Sequence, residues 1–350
     1  MELRDKVEEH YKNKSKSLHA VNWNVEEDMS FTFWELATTS YWLPEDFDIS
    51  RDLEAWGNLS ENEKDTYKKV LAGLTGLDTK QSADGMSLIA HHEPRDRFSQ
   101  VFTAFDFYES IHSKSYSHIF TTLLNNKETN YLLNEWVEKE PHLSVKAQYI
   151  GYYYEQLLKP NPTVLERYLA KVASAFLESA LFYSGFYYPL LLSGQGKLVQ
   201  SGSTIYKITQ DEAYHGVAVG YTAQLDYELL SEEEKEKADV LTYELLEILY
   251  DNEVSYTHSL YDSLGLTEDV INYVQYNFNR ALQNLGKEDY FNPEPYNPIV
   301  ENQTNVDKVR NADFFSKKPD YKRSTNTKDI QKEDFDFEDR KDFDIVNEFL

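Results

Sequence analysis

Apolar residues in this chain recur at helical spacing over long stretches, and the alternating pattern of a half-buried strand is not sustained anywhere. Three helix starts are marked by a hydroxyl residue followed three positions later by glutamate, at Ser60 with Glu63, Thr163 with Glu166 and Ser231 with Glu234. The pattern predicts helices near 60–90, 97–124, 163–190, 199–226, 232–262 and 267–285, with shorter ones before residue 60. One stretch carries no charge at all, from Ser179 to Gly196. It is long enough to span a bilayer, but its three serines, three glycines, proline and glutamine, and the Glu178 before it, read as a buried helix of a soluble bundle. After Asn292 the run Asn292-Pro293-Glu294-Pro295-Tyr296-Asn297-Pro298 breaks helices, and the remainder of the chain is polar and acidic. The expected organisation is a folded domain over 1–291 and a flexible acidic tail over 292–350.

Within this pattern, a few charges stand in apolar surroundings. Glu178 directly precedes the uncharged run, and Asp78 ends the uncharged segment from Leu71 to Leu77. Burying such a carboxylate is costly unless it is paired or bound to a metal. The chain also repeats one motif, Glu109-Ser110-Ile111-His112 and Glu212-Ala213-Tyr214-His215. Residues three apart share a helix face, so each copy aims a carboxylate and an imidazole at one point. One lone acid precedes each copy. Asp78, Glu109, His112, Glu178, Glu212 and His215 thus supply what a dimetal-carboxylate bundle needs: two helices carrying Glu-x-x-His and two others carrying one carboxylate each. The predicted fold is therefore an all-α, ferritin-like helical bundle. An oxygen-rich set of this kind suits iron or manganese rather than structural zinc. The remaining seven histidines lack a glutamate three residues before them and are read as surface or packing residues.

Tyr116 lies four residues after His112, on the same helix face, where a phenol beside an oxidising centre is the group most easily made into a radical. Phe182, Phe186 and Ile208, spaced at four and eight residues from Glu178 and four from Glu212, are placed to line an apolar pocket around it.

Composition narrows the function. A net charge of -26 argues against nucleic acid as a partner, because a phosphate backbone demands a basic face. The chain has no cysteine, hence no disulfide, thiolate ligand or thiol nucleophile. Its charged start, Met1-Glu2-Leu3-Arg4-Asp5-Lys6, does not look like a signal peptide, and these features fit a cytoplasmic protein without a membrane anchor.

Taken together, these motifs resemble the small, radical-generating subunit of class I ribonucleotide reductase, most closely its class Ib branch. The likeness runs from about Val21 to Phe315 through Val21-Asn22-Trp23-Asn24, Gly73-Leu74-Thr75-Gly76-Leu77-Asp78-Thr79, the segment from Glu109 to Ser117, Phe176 to Tyr187, Asp211 to Gly216 and Asn297-Pro298-Ile299. The resemblance implies Asp78, Glu109 and His112 as ligands of one ion and Glu178, Glu212 and His215 as ligands of the other, two manganese or two iron ions per chain, and a tyrosyl radical on Tyr116. It implies a radical path through His112, Asp211 and Trp42 toward a tyrosine in the tail, for which Tyr321, the only tyrosine beyond Tyr296, is the candidate. The tail's length and its Asn347-Glu348-Phe349-Leu350 ending depart from the relatives' pattern.

Ribonucleotide reduction needs a thiyl radical and a redox cysteine pair, neither of which a chain without cysteine can supply. The resemblance therefore implies a large catalytic subunit as partner, with the acidic and aromatic tail as the docking peptide. It also implies a homodimer, and a small flavodoxin-like activating protein where the metal is manganese. Two other readings compete: a two-electron dimetal oxidase or oxygenase acting on an apolar ligand, and a ferritin-like metal store. The docking tail and the Trp42–Asp211 pair favour the radical-generating subunit over both.

Overall fold

The computed structural model describes residues 2–12, 19–25 and 28–304, and the elements assigned among them are helices. The described residues belong to one compact unit. Short helices over Leu3–Tyr11, Met29–Thr39 and Leu53–Asn58 lead into the bundle. Its long members are α1 (Glu61–Lys80), α2 (Asp96–Leu123), α3 (Pro141–Glu155), α4 (Val164–Phe176), α5 (Tyr183–Gly194), α6 (Val199–Tyr227), α7 (Glu232–Tyr261) and α8 (Thr267–Asn284). The expected dimetal-carboxylate bundle architecture is thus all-α as read, and no described helix is long and apolar enough to cross a membrane.

All three expected helix starts are closed by reciprocal bonds. The Ser60 amide donates to the Glu63 carboxylate at 2.8 Å, that of Thr163 to Glu166 at 2.8 Å and that of Ser231 to Glu234 at 2.9 Å. Each hydroxyl accepts the returning glutamate N–H, so donors that a helix start leaves bare are satisfied locally.

Two of the expected helices are not regular throughout. The helix read over 60–90 passes through a π-helical turn at Gln81–Met86, and the one read over 163–190 through another at Leu177–Leu181. Such turns insert a residue into the ladder and rotate the helix beyond them, and they cluster at functional sites. The structure also holds helices over Asn126–Tyr131 and α3, in a region where the apolar pattern predicts none.

α1 packs along α2, and α4 and α5 pack along α6, so the four segments carrying Asp78, Glu109, Glu178 and Glu212 face one another. α8 crosses α6 closely at Gly220, where a Cβ would lie 2.4 Å from the Asn284 carbonyl oxygen; only a residue without a side chain fits. Away from the centre, Lys171 of α4 bridges Glu93 at 2.6 Å and Asp226 at 2.7 Å, and Arg95 reaches Asp226 at 2.9 Å and also pairs with Glu93. Opposite charges there compensate one another in a desolvated site.

The chain stays packed beyond residue 291. The short helix α9 (Pro298–Thr304) buries Val300 completely and sets Gln303 against the Leu190 carbonyl at 3.0 Å. Tyr321 and the expected docking peptide lie outside the described residues.

Candidate metal centre

Asp78, Glu109, His112, Glu178, Glu212 and His215 are all fully buried. Their ligand atoms form two clusters, Asp78, Glu109, His112 and Glu212 in one and Glu109, Glu178, Glu212 and His215 in the other, with the atoms of each within 4.8 Å of one another. Glu109 and Glu212 belong to both. The family resemblance assigns each of these two to a single ion, whereas the geometry makes them the shared wall between two positions.

The imidazoles sit inside these clusters. His112 Nδ1 is 2.8 Å from Glu212 Oε1, 3.4 Å from Asp78 and 3.5 Å from Glu109. His215 Nδ1 is 2.9 Å from Glu109 Oε1, 3.1 Å from Glu212 Oε2 and 3.7 Å from Glu178. Burial pushes the Asp78 and Glu178 carboxyls well up, and repulsion from Glu212 and Glu109 adds to it. Burial alone would lower the two histidines; the surrounding carboxylates outweigh it and hold both well above their usual range. Burial likewise acts to raise Glu212, and the two histidines and Glu178 overcome it and pull that carboxyl down.

The donor set fits a pair of divalent ions. Both oxygens of Asp78 and of Glu109, one each of Glu178 and Glu212, and Nδ1 of His112 are buried without a hydrogen-bond partner. Orphaned buried carboxylate oxygens are costly, and cations between them would remove that cost. Four carboxylates and two imidazoles are hard and borderline donors of the kind iron and manganese take.

The first cluster continues outward. Trp42 Nε1 donates to Asp211 Oδ2 at 2.7 Å, and His112 Nε2 lies 3.2 Å from the same oxygen. Asp211 is acceptor only when ionised, so Nε2 carries the proton and Nδ1 is left facing the ligand cluster. The Trp42 and His112 rings lie 6.1 Å apart at an interplanar angle of 20°. Trp42 itself is buried, and its neighbours along the chain, Tyr41 and Leu43, are exposed. Tyr214 adds a bond to the other Asp211 oxygen at 3.2 Å.

Tyr116 is fully buried and its hydroxyl has no hydrogen-bond partner. Burial, followed by the charges of Asp78, Glu212 and Glu109, pushes its pKa well up, so the phenol is held protonated. Phe182, Phe186 and Ile208 are also fully buried, with the two phenylalanine rings 6.0 Å apart.

Sequence reasoning missed the groups that hold Glu178. Gln81 Nε2 donates to Glu178 Oε1 and, at 2.9 Å, to Ser174 Oγ, while Gln81 Oε1 accepts from the Tyr154 hydroxyl at 2.5 Å. Gln81 stands three residues after Asp78, a spacing that could have flagged it as sharing the acid's face.

A family model described as ribonucleotide reductase, small chain, matches residues 20–298. The ribonucleoside-diphosphate reductase subunit beta of Bacillus subtilis (strain 168) is 43% identical over 330 residues, 94% of this chain and 99% of that protein. The protein of the same name from Bacillus phage SPbeta is 41% identical over 328 residues, 93% of this chain and 98% of that one. Among solved structures, the dimanganese(II)-NrdF of Streptococcus sanguinis superposes with a TM-score of 0.77 at 41% identity, covering 82% of this chain and 100% of that one.

Proposed function

The chain belongs to the ribonucleotide reductase small-chain family, and from that premise we propose how its own residues divide the work of a radical-generating subunit. It is the small subunit of a ribonucleoside-diphosphate reductase with a dimetal centre, acting as a homodimer together with a large catalytic subunit. In our reading Asp78, Glu109 and His112 hold one ion, Glu178, Glu212 and His215 hold the other, and Glu109 and Glu212 stand between them. The convergence of six buried ligand residues with orphaned donor atoms carries this assignment.

Once bound, a manganese or iron pair supplies one-electron oxidising power drawn from an oxygen species. Tyr116 is the residue that gives up one electron and its phenol proton. Burial and the neighbouring carboxylates keep the phenol protonated, so forming the neutral radical takes a proton as well as an electron from it, and in this reading a carboxylate of the cluster receives the proton, Asp78 being the charge that acts on the phenol most strongly. Enclosure excludes water from the neutral tyrosyl radical that results, with Phe182, Phe186 and Ile208 supplying apolar lining.

Asp211 fixes the His112 tautomer and holds the Trp42 indole on the same oxygen, which gives the oxidising equivalent a bonded route from the centre to Trp42, beside the exposed Tyr41 and Leu43. Tyr321 in the tail would carry it on to the large subunit. Manganese is the metal we favour, because the Streptococcus sanguinis relative is a dimanganese(II) protein; with it our reading takes a small flavodoxin-like activating protein as the source of the oxygen species and a cytoplasmic setting.

Tyr116→Phe tests the assignment. With metal, oxygen species and large subunit supplied, the variant should keep fold and two-ion content yet lose both the tyrosyl signal in electron paramagnetic resonance and nucleotide reduction. Full turnover by the variant would assign the oxidising equivalent to another residue.

A further inference from the structure

Each half of the centre is anchored from outside by one group, and the two anchors differ in kind. On the first half Asp211 fixes the imidazole of His112. On the second half His215 Nε2 has no partner, and the group held is instead the carboxylate of Glu178, through the Gln81 amide. We propose that Gln81, locked by Tyr154 and seated in a pocket that Gly85 leaves open, is the positioning residue of the second metal position, fixing Glu178 so that one carboxylate oxygen is spent on the amide and the other faces the ion. This rests on Glu178 being a ligand.

The amide has no freedom in this place. Both of its protons are used, one on Glu178 Oε1 and one on Ser174 Oγ, and its oxygen accepts from the Tyr154 hydroxyl. With Glu178 ionised, the form that binds a cation, a flipped amide would set its carbonyl against the carboxylate, two acceptors with no proton between them, so the ionised carboxylate selects the orientation. Gln81, Ser174, Glu178 and Tyr154 are all fully buried, so bulk water does not compete for these bonds.

Three elements supply the parts. Gln81 opens the π-helical turn that succeeds α1, Glu178 lies in the turn that succeeds α4, and Tyr154 comes from α3. Gly85, four residues after Gln81, is what makes room. A Cβ there would lie 2.3 Å from Gln81 Oε1 and 2.6 Å from Tyr154 Cε2, so any side chain pushes the amide or the phenol out of register.

Outer hydrogen-bond partners of metal ligands are worth about 10–100-fold in metal affinity when removed. Held by an amide on one oxygen, Glu178 is biased toward binding its ion through the other oxygen alone. Released, it is free to chelate or to swing toward Glu109. The two ions should therefore respond unequally to loss of the clamp.

Titration of the metal-free protein with manganese(II), followed by the resonance signal of the unbound ion, gives the stoichiometry and both dissociation constants, with no need for turnover. Gln81→Met keeps the length and apolar volume and removes both donors. It should weaken one ion by about 10–100-fold, leave the other near its wild-type affinity, and change the spectrum of the loaded pair. Tyr154→Phe should weaken the same ion by a smaller factor, and Gly85→Ala, which alters no polar group, should weaken it too. Thermal melts of the metal-free variants identify any that fail to fold; Tyr154→Phe, which only removes a hydroxyl, then carries the test. Unchanged constants and spectrum in Gln81→Met, or equal weakening of both ions, would overturn the clamp while leaving the ligand assignment standing. A wild-type protein that takes up fewer than two ions would instead remove the ligand assignment beneath it.

Discussion

Asp211 is asked to do two things with one oxygen, orienting the His112 ring and holding the Trp42 indole. Asp211→Asn keeps the shape but removes the charge and one acceptor site. Metal content and the Tyr116 radical should persist, while nucleotide reduction with the large subunit falls by about 10–100-fold, the usual cost of an outer partner. Spin counting against turnover checks this, and unimpaired turnover in the variant would remove Asp211 from the transfer route. The six proposed ligands could be read from the sequence because a carboxylate standing alone in an apolar helix is too costly to bury without a counter-charge, and because glutamate and histidine three apart share a face. Gln81 and Tyr154 could not be read in the same way. An amide beside Lys80, Ser82 and Asp84 looks like helix surface, and Tyr154 is the last of three consecutive tyrosines whose neighbour Tyr152 is exposed. What picks these two out is the partner each meets, a relation between distant residues that spacing does not encode.

At the scale of elements, helix starts were legible where a Ser or Thr and the Glu three residues on close the cap reciprocally, as at Ser60, Thr163 and Ser231. The helices between residues 126 and 155 were not read. The first starts at Asn125, whose side chain accepts from the Glu128 amide, and α3 starts at Pro141; their apolar stripe is broken by exposed tyrosines such as Tyr131, Tyr149 and Tyr152. The π-helical turns left no mark in the pattern either, because one inserted residue shifts the phase only locally. The charge cluster tying α4 to α6 makes its own prediction. Lys171→Met leaves Glu93 and Asp226 with Arg95, and Arg167 at 3.8 Å from Asp226, as remaining partners, and should cost about 3 kcal/mol in a denaturant melt. Burial works to raise the Glu93 carboxyl, but Lys171 and Arg95 prevail and hold it below the ordinary range. A depressed folded-state value means this contribution is present at neutral pH and is lost as pH falls through and below the ordinary carboxylate range. The stability gap between wild type and Lys171→Met should therefore narrow on acidification, and a gap that stays constant down to strong acid would contradict the role given to this cluster.

For the whole molecule, the folded part and the tail should be separable, with the division later than composition indicated. Residue 291 marks where helix-breaking residues begin, but burial of Val300 and the Gln303 bond to Leu190 tie the chain down as far as α9, which a proline-rich approach disguised. Cutting after Val306 should leave two-ion binding and the Tyr116 radical intact, because every proposed ligand lies before residue 216. Nucleotide reduction should be lost, since the shortened chain lacks both the acidic aromatic segment and Tyr321. A synthetic peptide of the last twenty or so residues should compete with the intact subunit for the large one, as a linear docking motif does. Turnover by the shortened chain, with no effect of the peptide at high concentration, would reduce the tail to a solvating appendage. The most direct measurement on the molecule is anomalous diffraction from crystals loaded with manganese(II). Two peaks about 3.5–4 Å apart are expected, one against Asp78 and His112, the other against Glu178 and His215, with Glu109 and Glu212 between them. A single peak, or peaks away from these six residues, would contradict the dimetal assignment on which the radical chemistry depends.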